Sequence, residues 1–180
     1  MQMPLTAQRD DEIFDVVDEN DRVLGQATRK EVHARKLLHR AVHVLVFNAA
    51  GQVFLQKRSL AKDSSPGCWD SSCSGHLDAG EDYLSAAVRE LHEEIGVVAP
   101  SERLVHRFQL GAAADTGWEF VSVYTLRYDG PIALNSAEIE RGEWFMPTAL
   151  TQAISERPGE FTSTLRKHWG AVRDARGSEQ

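Results

Sequence analysis

Three glutamates give this chain its most legible chemistry. Glu90, Glu93 and Glu94 stand at i, i+3 and i+4, the spacing that sets side chains on one helical face. Like charges placed so repel, each pair costing about 0.2–0.5 kcal/mol. A face needing only solvent would alternate its signs, so three acids beside a glycine-containing loop imply a cation. Other residues suit an anionic ligand. Arg58, near Lys57 and Lys62, can pair with phosphate. Trp69, Trp118, Phe120 and Tyr124 can stack on a base, although aromatics on strands also fill cores. Glu119 opens an alternating strand and shares a face with Val121, Val123 and Thr125. A carboxylate in such a row needs a metal, a cation or a site to meet.

These groups need elements to hold them. The glutamates fall in a predicted helix between Asp82, an N-cap, and Gly96, a left-handed C-terminal glycine. Leu84, Ala87, Val88, Leu91 and Ile95 recur at helical spacing, so an apolar stripe faces the core and the carboxylates face away from it. Ahead of it, residues 40–48 (RAVHVLVFN) read as a buried strand and 52–58 as its hairpin partner. Further upstream, residues 12–18 and 22–27 form a hairpin. Thr28 and Glu31 make a capping box that opens a short helix over 29–38. Downstream, 103–114 and 118–128 are strands around a turn at 115–117. Residues 135–142 are a polar loop before a short strand at 143–145. Pro147 opens a helix to about 156, and 161–173 form a final amphipathic helix.

Composition bounds the partners. One domain of 180 residues is expected: a hairpin and short helix over 12–38, a catalytic core over 39–147 and C-terminal helices over 148–174. A net charge of −7 argues against a nucleic-acid polymer, whose footprint is basic. No apolar run suits a membrane span or a signal peptide. Cys68 and Cys73 fit neither a zinc pattern nor a disulfide framework. A cytoplasmic protein is the expectation, and the N-terminal hairpin and last helix offer surfaces for a homodimer.

The stretch from Gly75 through Glu81, Arg89-Glu90-Leu91 and Glu93-Glu94 to Gly96-Val97 resembles the Nudix box at nine fixed positions in 23 residues. The resemblance implies the Nudix fold, an α/β/α sandwich with a mixed sheet and the box as loop–helix–loop. It implies a hydrolase that cleaves a diphosphate bond in a nucleoside diphosphate derivative or related organic pyrophosphate. Glu90, Glu93 and Glu94 would bind Mg²⁺ or Mn²⁺, helped by the Gly75 carbonyl. Hard oxygen ligands suit such ions. Glu93 and Glu90 count as catalytic, with Glu90 a third ligand or a base. Arg89 would orient a carboxylate, Glu81 would support the loop, and Glu138, or else Glu140, would supply an extra acid near the metal. Glu119 joins the metal candidates. Arg58, His76 and Trp69 are the candidate substrate contacts.

A narrower resemblance covers most of residues 12–147. Leu38-His39-Arg40-Ala41, Lys62, Pro66-Gly67, Trp69 and Gly75-His76 are similar to the Nudix branch that includes isopentenyl-diphosphate isomerase. His39, His76 and Glu119 fit that branch's metal ligands, His33 more loosely, and Trp144 its aromatic. The isomerases carry a reactive cysteine directly before the Gly-His pair. Here Ser74 holds that place, and Cys73, one residue earlier, is expected on the opposite face of an extended segment. The intact box and the missing thiol favour hydrolysis over isomerisation. A silent diphosphate-binding module is the third alternative.

Overall fold

The computed structural model describes residues 9–177, with side chains through 174. Strands β1 (Ile13–Val17) and β2 (Val23–Thr28) form the expected hairpin. Asp18 Oδ1 closes its turn by accepting from the Asn20 and Arg22 amides at 2.8 and 2.9 Å. Helix α1 (Arg29–Arg35) starts at the Thr28–Glu31 capping box. It ends three residues before Leu38, because Lys36 turns left-handed at φ 53°. The Leu38 carbonyl then accepts from the Val17 amide, which ties the next segment to β1.

Strand β3 (His39–Phe47) lies at the centre of a seven-stranded mixed sheet. It pairs antiparallel with β4 (Val53–Arg58) and β6 (Cys73–His76), and in parallel with β8 (Glu119–Arg127). Strand β5 (Trp69–Asp70) and β9 (Ile139–Phe145) pair with β4, and β7 (Val105–Leu110) pairs with β8. The segment expected as a loop over 135–142 is thus partly strand: Ile139 to Gly142 pair with Arg58 to Gln56. The pairing satisfies the backbone of β4, and glycine is required there, since a Cβ on Gly142 would lie 2.0 Å from the Phe54 ring.

Helix α2 (Tyr83–Ile95) covers one face of the sheet. Asp82 caps it by accepting from the Leu84 and Ser85 amides, and Gly96 closes it at φ 66°. Helices α3 (Pro147–Glu156) and α4 (Ser163–Gly177) cover the other face. Strand β3 serves both layers. Val42, Val44 and Val46 pack toward α2 with Leu91 and Ile95. Ala41, Leu45 and Phe47 pack toward Leu150, Leu165 and Trp169. A central strand buried on two faces must read as a nearly continuous apolar run, which residues 41–47 do. The result is an α/β/α sandwich.

Candidate functional site

The acidic side of α2 is partly turned in toward the sheet. Glu90 is 8% exposed and Glu94 only 1%, while Ala86, Ala87, Leu91 and Ile95 are fully buried. Leu84 and Val88 are only partly buried. The carboxylate row and the apolar stripe adjoin on the wheel, so the helix rests on the boundary between them. Glu93 alone of the three points outward. Burial drives the Glu94 pKa up to about 7. Burial, then the neighbouring Glu94, raises that of Glu90 well above the carboxylate range.

The acids are held by a dense hydrogen-bond set. Arg89 donates from Nε and Nη2 to the two Glu81 oxygens at 3.0 and 2.8 Å, a bidentate pair. Its Nη1 reaches Glu90 Oε1 at 2.8 Å and Glu93 Oε2 at 3.1 Å, and Nη2 also reaches the His76 carbonyl at 3.0 Å. Glu94 Oε2 accepts from Gln56 Nε2 at 2.6 Å and from the Ser74 amide at 3.0 Å. Lys62 Nζ lies 3.8 Å from Glu94 Oε1 and is hydrogen-bonded to Glu138. Gly75 abuts Glu90: a Cβ there would meet Glu90 Oε1 at 1.9 Å.

A second donor set adjoins the first. His33 comes from α1, His39 from β3, His76 from β6 and Glu119 from β8, and one ligand atom from each lies within 4.8 Å of the others. The parallel register puts His39 opposite Glu119. His76 Nε2 is 2.9 Å from Glu119 Oε1. Against the cost of burial, His76 and His39 hold the Glu119 carboxyl below its usual range. His39 Nδ1 sits 2.9 Å from the Leu37 carbonyl. A carbonyl only accepts, so Nδ1 carries a proton and Nε2 is the nitrogen turned toward the cluster. That atom is buried without a hydrogen-bond partner, 3.4 Å from Glu119 Oε1. A buried ring nitrogen without a hydrogen-bond partner, facing a carboxylate, leaves a place for a cation. Phe14 of β1 packs on the cluster, its ring parallel to His39 within 5°.

Glu90 and Glu93 of the first set and His33, His76 and Glu119 of the second border one cavity of about 350 Å³, lined also by Arg58, Lys62, Ser74, Gly75 and Glu138. Arg58 spends part of its fork internally, donating to Asp70 Oδ2 at 3.2 Å and the Ser64 carbonyl at 3.0 Å. One candidate changes place. Trp69 is not a cavity residue: it is 6% exposed and packs edge-on to Phe145 at 5.1 Å, in the core that also holds Phe161. Glu119 sits with His39 and His76, the grouping that the narrower resemblance implies, and His76 lines the cavity as its hydrogen-bond partner. Glu140 pairs with Arg141 on the surface. Cys73 is fully buried beside Val42 and Leu91, where burial drives its thiol pKa up. Ser74 takes the place at the cavity wall.

Sequence reasoning did not single out His43, whose ring also lines the cavity. The signal was present, since a histidine interrupts the apolar run of β3.

The profile of the NUDIX domain matches residues 37–165. An uncharacterised Nudix hydrolase of Pseudomonas aeruginosa is 37% identical over 150 residues, covering 83% of this chain and 88% of that protein. An isopentenyl-diphosphate Delta-isomerase of Serratia proteamaculans is 34% identical over 167 residues, covering 89% and 93%. The solved structure of a Deinococcus radiodurans protein superposes with a TM-score of 0.76 at 28% identity, covering 88% of this chain and 97% of that one. The NUDIX domain of a Shewanella oneidensis protein, solved with ADP-ribose, shares the fold at a TM-score of 0.62 and 17% identity over 83% and 99%. With the box glutamates, their supporting arginine and the sandwich that carries them, the chain belongs to the Nudix family.

Proposed function

We propose that this chain is a divalent-metal-dependent hydrolase that cleaves the diphosphate bond of a small organic diphosphate, such as a nucleoside diphosphate derivative. The observation that carries this reading is the chemistry of the cavity wall. Among the described residues it holds Glu90 and Glu93 and no thiol, because Cys73 is turned into the core.

Glu90, Glu93 and Glu94, with the Gly75 carbonyl, would hold Mg²⁺ or Mn²⁺. When bound, such an ion supplies charge neutralisation and an oriented water. The chain's own residues do the rest. Arg89 fixes Glu81, Glu90 and Glu93 in one hydrogen-bonded array. Lys62 and Arg58 place positive charge where a diphosphate would lie. Glu138 or Glu90, ionised beside the cation, takes the proton of the attacking water at a carboxylate oxygen. The cavity volume suits one small molecule.

The test is phosphate release, coupled to a phosphatase that frees phosphate from the monoester products, from a panel of nucleotides, nucleotide sugars, coenzyme A and prenyl diphosphates with Mg²⁺. Turnover that Glu93→Gln removes is the expected result, and turnover that survives this change refutes the assignment.

A second reading, an isopentenyl-diphosphate isomerase, is favoured by the cluster of His33, His39, His76 and Glu119. Imidazole donors suit Zn²⁺ or Fe²⁺ better than Mg²⁺. Conversion of isopentenyl diphosphate to its dimethylallyl isomer, with no phosphate release from any substrate, would decide for it.

A further inference from the structure

On the sheet face opposite the glutamates, the cavity has a polar wall that hydrolysis leaves without a task. His43 stands in β3 between Val42 and Val44, both fully buried, and is the register partner of Ser74. The ring is 5% exposed and borders the cavity. On its inner side, Nδ1 lies 2.8 Å from Ser71 Oγ and 3.7 Å from Asp70 Oδ1. Ser71 Oγ in turn lies 3.1 Å from His168 Nε2.

Asp70 is the anchor of this network. It accepts from the Ser71 amide at 2.8 Å, Thr162 Oγ1 at 2.9 Å and Arg58 Nη1 at 3.2 Å. An anion so fixed behind Nδ1 favours the tautomer with its proton on Nδ1. Ser71 then accepts from His43 and donates to His168, which uses its single proton consistently. The nitrogen left on the cavity side, Nε2, is a bare acceptor. The cavity it borders is also lined by Ser64, Ser65, Ser74, Thr162 and Thr164. A buried imidazole in an apolar strand costs free energy unless its polar atoms are used. The interior accounts for Nδ1 only.

We infer that His43 Nε2 is a specificity-determining acceptor for a hydroxyl on the group that the diphosphate carries, so that a sugar-like moiety is bound in preference to a hydrocarbon chain. The inference rests on the proposed use of the cavity for a diphosphate.

Dissociation constants measured by calorimetry, with Ca²⁺ in place of Mg²⁺, test it. The ligands are ADP-ribose and UDP-glucose on one side, isopentenyl and geranyl diphosphate on the other. His43→Asn keeps a polar atom beside Ser71 and removes the cavity acceptor. It should weaken both sugar diphosphates by about tenfold and leave the prenyl diphosphates unchanged. His43→Gln carries an amide oxygen out to the position of Nε2 and should restore most of the loss. Should the variants fail to fold, the wild type must still bind ADP more tightly than 2′,3′-dideoxy-ADP or prefer the sugar diphosphates to the prenyl ones. Equal losses for both ligand sets, no loss for either, or a wild type that does not prefer sugar diphosphates would overturn the inference. Phosphate release is scored separately. Selective, His43-dependent binding without release would remove the hydrolase and keep the acceptor. Release with affinity indifferent to His43 would do the reverse.

Discussion

Gly75 and Glu90 occupy adjoining space with no room for another atom. A Cβ on Gly75 would lie 1.9 Å from Glu90 Oε1 and 2.2 Å from its Cδ. Glu90 is also held by Arg89 at 2.8 Å, so it cannot yield without breaking that bond. Gly75→Ala should therefore displace the carboxylate and weaken divalent-metal affinity by about 10–100-fold, with the far-ultraviolet dichroism of the fold retained. Titration of the variant with Mn²⁺, followed by electron paramagnetic resonance, reads this directly.

Trp69→Ala separates a core role from a binding role. Its ring packs against Phe145 and belongs to the core of the α3–α4 layer. Truncation should cost about 3–5 kcal/mol in denaturant unfolding, and the KM for any substrate should stay within twofold at a temperature where the variant is folded. A large rise in KM would return Trp69 to the cavity.

Cys73→Ala addresses the thiol. The side chain is fully buried and its pKa is raised by burial, so it offers no thiolate. Turnover should be unchanged while stability falls by about 1 kcal/mol. Loss of turnover in a folded variant would revive thiol chemistry.

Glu90 and Glu94 set a pH dependence. Their folded pKa values are raised, that of Glu94 to about 7. The native state thus holds protons that the unfolded chain releases. Their contribution to metal-free stability is full below the ordinary carboxylate range and is lost as pH rises through about 7. A cation binds the ionised pair, so the gain in Tm from Mg²⁺ should be small near pH 5 and grow toward pH 8. Melting curves with and without Mg²⁺ across this range check it, and Glu94→Gln should flatten the trend.

Much of this was readable in the chain, and the reasons are local. Asp82 and Gly96 bound α2, and Thr28 with Glu31 opens α1, because caps act within one turn of sequence. The two faces of β8 followed from strict alternation. What escaped depends on how elements meet. Whether Glu90 faces water or the sheet is decided by where α2 rests, and Trp69 by α3 and α4 closing over it. His43 drew no notice because its partners, Ser71 and His168, are distant in sequence by 28 and 97 residues from the groups they bind. The strand character of 139–142, ahead of the expected 143–145, was hidden because Glu140 and Arg141 pair with β4 while their side chains stay exposed.

The docking of β1 and α1 has a consequence for assembly. His33 lies before the segment that matches the family profile, which begins at residue 37. The four donors of its cluster come from α1, β3, β6 and β8, so no local piece of chain can gather them. A protein shortened to residue 37 would keep every box glutamate and lose one imidazole and the Phe14 ring that packs on the others. A third imidazole on the metal would then report that the hairpin and α1 have closed on the sheet, a folding checkpoint written in coordination chemistry.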